Sequence, residues 1–155
     1  MAGTNIVAAR KALIAALQGM TGQGAPLGNA VVDYSYVGKH HDGTREYIFG
    51  GSSDGSTSLS AMQGGGRVKR EETPDWTLSI YITTPGESTT EVADERAVEL
   101  GVVVEDYLAA NMQLDGTVTG LLKAIVTGWS LTSWPDDSGC SAVLAYNLQF
   151  HSYLT

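Results

Sequence analysis

The segment Trp76 to Thr83, WTLSIYIT, constrains this chain more than any other stretch. Trp76, Leu78, Ile80 and Ile82 alternate with Thr77, Ser79, Tyr81 and Thr83. Successive side chains of a strand point to opposite faces, so the pattern specifies a strand with one apolar face. Such a strand belongs in a sheet, and the order of the flanking elements decides which kind.

Upstream, Asn5 to Gln18 places Ile6, Ala9, Leu13 and Leu17 at helical spacing. Thr4 or Asn5 can cap its start, and Gly19 can stop it. Thr21 to Gly28, with three glycines and Pro26, is read as a loop. Ala30 to Val37, AVVDYSYV, and Arg45 to Phe49 read as neighbouring strands, with Asp42-Gly43 as a turn signal inside Gly38 to Thr44.

Between Phe49 and a short charged strand, Arg67 to Glu72, lies GGSSDGSTSLSAMQGGG, Gly50 to Gly66. Read as a loop, it is far longer than a hairpin needs, and loops of that length are commonly functional or disordered. Leu59, Ala61 and Met62 interrupt its polar run. Leu59 and Met62 are therefore the candidate anchors of an assembly loop.

Downstream, Pro85-Gly86 ends the central strand, and Ser88 with Glu91 has capping-box spacing. The helix that starts there is expected to run to about Asn111. Ala93, Ala97, Leu100, Val104 and Leu108 form its apolar stripe, while Glu91, Asp94, Glu95, Glu99, Glu105 and Asp106 lie largely opposite. Gly101 is expected to weaken the helix by about 1 kcal/mol relative to alanine without breaking it. Leu114 to Gly116 is a turn, and two further strands follow: Val118 to Trp134, interrupted around Gly128, and Ala142 to Tyr153, with a turn from Trp134 to Gly139. The order predicts one α+β domain over residues 1–155. A mostly antiparallel, mixed sheet is flanked by an N-terminal helix and one long central helix, with the Gly/Ser loop between strands.

Charged residues make up 17% of the 155, below the usual quarter. Seventeen acidic against 9 basic side chains give a net charge of −8, which argues against tight wrapping of nucleic acid. The same balance suits either an ordinary acidic protein or a surface past which nucleic acid slides. Cys140 stands alone, so no intramolecular disulfide forms. The start of the chain lacks signal-peptide character, and no apolar run is long enough for a membrane span. Cytoplasmic synthesis with no membrane partner is the expectation.

For chemistry, His40, His41 and Asp42 are the sharpest candidates. Adjacent histidines in a strand or turn point apart, and no HExxH or similar spacing accompanies them. Two readings are open: a solvated turn, or a hydrolase pairing one of them with a serine. No GxSxG elbow occurs. Gly22, Gly24 and Gly28 miss the GxGxxG spacing, and the run from Gly64 to Arg70 lacks a GK[ST]. No catalytic residue, metal or cofactor is assigned. Arg67, Lys69 and Arg70 form the one dense basic cluster. It can meet passing phosphate, meet an acidic neighbouring subunit, or serve as a charged edge that discourages aggregation. The acidic face with Glu91, Asp94, Glu95 and Glu99 is either plain solvated surface or the partner of that cluster.

The order of elements, with NIVAARKALIAAL, VVDYSYV, REYIFGG, WTLSIYI, TEVADERAVELGVVVEDYL and the closing LAYNLQFHSYL, resembles tail terminator proteins of long-tailed bacteriophages, the lambda-type minor tail protein U group. The resemblance covers most of the chain and brings no catalytic residues. It implies a small protomer that closes into a sixfold ring on the head-proximal end of the tail tube, stopping tube growth. The ring would present a surface to the head connector or stopper, and DNA would pass through it. An acidic lumen would repel DNA phosphate. A closed ring joins two different patches, for which the basic strand and the acidic helix are candidates.

Overall fold

The structure is a computed structural model describing residues 3–37, 45–62, 68–86, 89–137 and 139–154, with the backbone alone at 59–62 and 68–69. Its elements are α1 (Ile6–Gln18), β1 (Val31–Asp33), β2 (Glu46–Asp54), β3 (Thr57–Met62), β4 (Val68–Glu72), β5 (Asp75–Pro85), α2 (Thr90–Ala110), β6 (Leu121–Asp136) and β7 (Gly139–Leu154). A short 3-10 turn, Leu114–Gly116, follows α2. The expected α+β class holds, with a mixed sheet of seven strands and two α-helices among the described residues.

The core follows from the alternation in β5. Trp76, Leu78, Ile80 and Ile82 are buried and pair directly with Leu148, Tyr146, Leu144 and Ala142 of β7, which are buried too. Both helices cover this one face. The stripe expected on α2 is buried throughout, Ala93, Ala97, Leu100, Val104 and Leu108, and α1 contributes Ala9, Leu13, Ile14 and Leu17. Full burial of each leucine, isoleucine or valine among them is worth about 1.5–3 kcal/mol.

β7 is the spine of the sheet. β6 flanks it on one side over Gly139 to Ser152, while β5 and β4 flank it in tandem on the other. The register of β6 shifts between Val126 and Gly128, where the sequence signals an interruption. The turn before β7 is tighter than expected: Trp134, Pro135 and Asp136 belong to β6, and Asp136 pairs with Gly139.

Two expectations are revised. β1 and β2 are not a hairpin: they pair in parallel, Val31 with Tyr47 and Asp33 with Phe49. Parallel neighbours need a crossover of about a dozen residues, and the segment after Asp33 supplies it by crossing β2. Tyr36 packs edge-on against Tyr47 and Phe49, with centroids 6.1 and 5.4 Å away. The amide of Val37 donates to the Tyr47 hydroxyl at 3.0 Å, and that hydroxyl donates to Asp33 at 2.8 Å. The turn expected at Gly38 to Thr44 lies outside the described residues.

The second revision concerns the Gly/Ser stretch. β2 continues through Gly50 to Asp54, and Thr57 to Met62 forms β3, antiparallel to β4. β2–β3 and β4–β5 are thus the two arms of one long hairpin with a break in each. Gly55-Ser56 faces Thr73-Pro74 at the break, where the Thr73 amide donates to the Ser56 carbonyl at 3.1 Å. A Cβ on Gly55 would lie 2.9 Å from Pro74 Cα, so glycine permits the close crossing. An edge strand buries little on either side and needs no apolar alternation, which is why composition alone read the stretch as loop.

Candidate assembly surfaces

The face of the sheet turned away from the helices is built from the other half of the alternation. Thr77, Ser79, Tyr81 and Thr83 of β5 stand opposite Asn147, Ala145, Val143 and Ser141 of β7. β6 extends the row with Ser130, Thr132 and Trp134, paired with Ala145, Val143 and Ser141. None of these side chains is charged at neutral pH. Tyr81 and Trp134 stack obliquely at 6.3 Å, and Ser141, fully buried beneath them, lies 3.3 Å from the Tyr81 hydroxyl. The result is an uncharged strip with small side chains at its centre, bordered by Asp136, whose carboxylate accepts the Ser141 hydroxyl at 3.2 Å.

The hairpin arm is the second surface. Arg70, Glu71 and Glu72 of β4 pair with Leu154, Tyr153 and Ser152 of β7. Beyond Arg70, Lys69 and Val68 pair with Ala61 and Met62 of β3. Among the described residues, Lys69 and Val68 pair with β3 alone. Its root is fastened from two sides. Glu72, 4% exposed, accepts the Asn5 amide at 2.6 Å, and Asn5 Nδ2 donates to Thr119 O at 2.7 Å. Glu71 pairs with His151 Nε2, so His151 joins arm to sheet. Glu72 does at the start of α1 what a capping side chain does elsewhere, and Asn5 itself makes no side-chain cap.

The sequence candidates distribute unevenly over these surfaces. Leu59 and Met62 fall on β3, opposite Arg70 and Val68. Lys69 occupies β4 opposite Ala61, and Arg70 is half-buried beside the end of β7. Arg67 and Ser88, the residue expected to cap α2, lie outside the described residues, as do His40, His41 and Asp42; Thr89 occupies the cap position and makes no side-chain cap. On α2, Glu91, Glu95 and Glu99 are exposed, with Val92, Val98 and Val102 between them. Asp94 instead turns to the sheet and accepts the Ser133 hydroxyl at 3.3 Å. Glu99 accepts Arg96 Nη1 at 2.9 Å.

Three anchoring residues escaped the sequence reading. Arg96 joins α2 to Glu46 of β2. Its guanidinium is held well above its ordinary pKa, chiefly by that hydrogen bond. Arg10 of α1 places its guanidinium 4.4 Å from the Tyr34 ring and 4.9 Å from the Trp76 ring while donating to Ser53 and Gly51. Glu72, read only as part of a charged strand, is buried. A lone charge opposite a distant partner leaves no spacing signal, so none of the three was legible.

Cys140 is buried, and no group of three or more His, Cys, Asp or Glu among the described residues is placed to hold a metal. Open grooves mark the described surface, one of about 370 Å³ around Asn111, Gln113, Asp115 and Leu122 and one of about 230 Å³ between the end of α2 and β6, lined by Leu108, Met112, Ala124 and Val126. No helix among the described residues is long and apolar enough to cross a membrane. Neither a family model nor a curated protein matches the chain.

Proposed function

We propose that this chain is a structural virion protein that assembles head-to-tail into a ring at the head-proximal end of a phage tail tube. There it stops tube growth and joins the tail to the head connector, and DNA passes through its lumen. The observation that carries this reading is the hairpin arm, fastened at Glu72 and His151, whose described tip, Ala61–Met62 with Lys69–Val68, pairs within the arm alone among the described residues. A strand pair with an unpaired outer edge is a ready surface for a neighbouring copy.

Two further features agree. The central strip of the open sheet face is uncharged although the chain carries −8, so it offers a neutral seat, bordered by Asp136, on an otherwise self-repelling surface. The exposed Val92, Val98 and Val102 among the glutamates of α2 suit a second contact of mixed character. A heterologous interface, arm to neighbour, closes into a ring. The resemblance to tail terminators supplies the location, the sixfold symmetry and the tube and connector partners. Another neck component, connector or stopper, fits the same surfaces. The role is structural, with no catalytic group, metal or cofactor assigned.

Tube growth tests it. Added to polymerising major tail protein, the chain should arrest elongation and stay at one tube end. Tubes of unchanged length with no bound chain would overturn the terminator role.

A further inference from the structure

The outer edge of β6 is exposed in a way that soluble proteins avoid. From Thr127 to Trp134 the sequence reads TGWSLTSW, and β7 is its only strand partner among the described residues. Upstream the edge is partly closed, because the Ala124 amide donates to Met112 O at 2.6 Å. Beyond that point it is open, and Trp129 is 69% exposed. The segment has no charge, no proline and high β propensity. Edge strands are normally blunted by lysine, proline or a covering loop, and an unblunted one is a template for another strand. Lys123 and Asp136 bracket the segment but do not enter it.

We infer, on the ring reading above, that Thr127–Trp134 of β6 is a docking edge for β3 of a second copy, which adds its strand to the sheet. Three observations select this occupant. β3, Thr57–Met62, ends the sheet across β7 from β6 and has β4 as its only strand partner among the described residues, whereas β1, the other strand that ends the sheet on that side, has three residues and carries Asp33. It is also uncharged, so two copies of net charge −8 meet along matched neutral strips rather than through their acidic helices. Its direction is right as well. β6 to β7, β7 to β4 and β4 to β3 are each antiparallel, so β3 runs opposite to β6. Rotation about a ring axis aligned with the strands preserves direction and delivers β3 to β6 as an ordinary antiparallel pair. Each contact uses one β6 edge and one β3 edge, which is the arrangement a ring requires.

Hydrogen exchange of the full chain, measured by mass spectrometry from dilute monomer to assembled protein, tests the pairing. Amides of 127–134 and of 57–62 should both slow at least tenfold on assembly, in alternating positions. An assembly in which the β6 amides exchange as fast as in the monomer would overturn the pairing and leave the ring standing. Slowing at 127–134 alone, with dimers as the product, would mean β6 pairs with β6 and would also overturn it. A chain that stays monomeric at every concentration would sink pairing and ring together. As a second arm, Trp129→Lys with Ser130→Lys alters two exposed side chains. This variant should keep the native circular dichroism and lose assembly, whereas wild-type assembly by the folded variant would contradict the inference.

Discussion

The guanidinium of Arg96 on α2 spans both carboxylate oxygens of Glu46 on β2, with Nε to Oε1 at 2.5 Å and Nη2 to Oε2 at 3.2 Å. This two-point contact sets the angle of the long helix across the sheet, since Glu46 lies at the start of β2 and Arg96 in the second turn of α2. The contact to Glu99 is a single bond to an exposed carboxylate. Planar two-point pairs exceed single exposed ones in strength.

Arg96→Ala is accordingly expected to cost about 1–2 kcal/mol in urea unfolding. In double-mutant cycles the coupling of Arg96 to Glu46 should exceed that to Glu99, which should be about 0.5 kcal/mol or less. Equal couplings would show that the helix is placed by packing alone.

Gly101 sets helix propensity against packing. Alanine at a helix interior gains about 1 kcal/mol over glycine. Here, however, its Cβ would come 2.3 Å from the Tyr146 hydroxyl and 2.7 Å from Leu144 Cδ2. Overpacking costs about 1–3 kcal/mol, so Gly101→Ala should destabilise on balance. Adding Tyr146→Phe removes the nearest atom and should recover part of the loss. A more stable Gly101→Ala protein would show that α2 is free to shift outward.

How much of this was legible in the sequence depends on what each residue's signal consisted of. The apolar face of β5 and, apart from Gly101 and Tyr107, the buried face of α2 are legible in the sequence, because burial on one side writes a period into it. The arm was not, because an edge strand such as β3 is held by backbone pairing, which leaves no pattern in its side chains. The parallel pairing of β1 escaped for a related reason: a strand of three residues carries no register signal, and Asp42-Gly43 pointed to a hairpin. Gly101 looked like a flaw in a helix and is the place where the sheet comes closest. Among the assembly candidates, the outward glutamates of α2 were legible from helical phase, whereas Asp94, on the same stripe, turns to Ser133.

Glu72 joins arm and helix. Glu72→Ala leaves the Asn5 amide without its acceptor, and a buried donor left unpaired costs about 1–3 kcal/mol. Thermal unfolding should show the loss, with exchange protection falling first in the opening turn of α1. Unchanged stability would mean that water replaces the carboxylate at no cost.

Tyr146 provides a pH signature of the α2–sheet contact. Burial, then the charge of Glu105 and a hydrogen bond to it, raise its hydroxyl from 10.0 to about 12. Between those values the folded chain keeps a proton that the unfolded chain has released. The stabilising contribution is therefore complete below pH 10 and is lost as pH rises towards 12. Phenolate absorbance should resolve this late titration, and Glu105→Gln should move it down. A Tyr146 that titrates at its ordinary value would place the ring in solvent.

The central claim is that copies of this chain close into a ring that seats on a tube. Negative-stain electron microscopy of the purified protein mixed with tail tubes, with mass photometry on the same sample, measures it directly. The account predicts a discrete ring with an open lumen, capping one end of each tube. A strict monomer that never associates with tubes would contradict it.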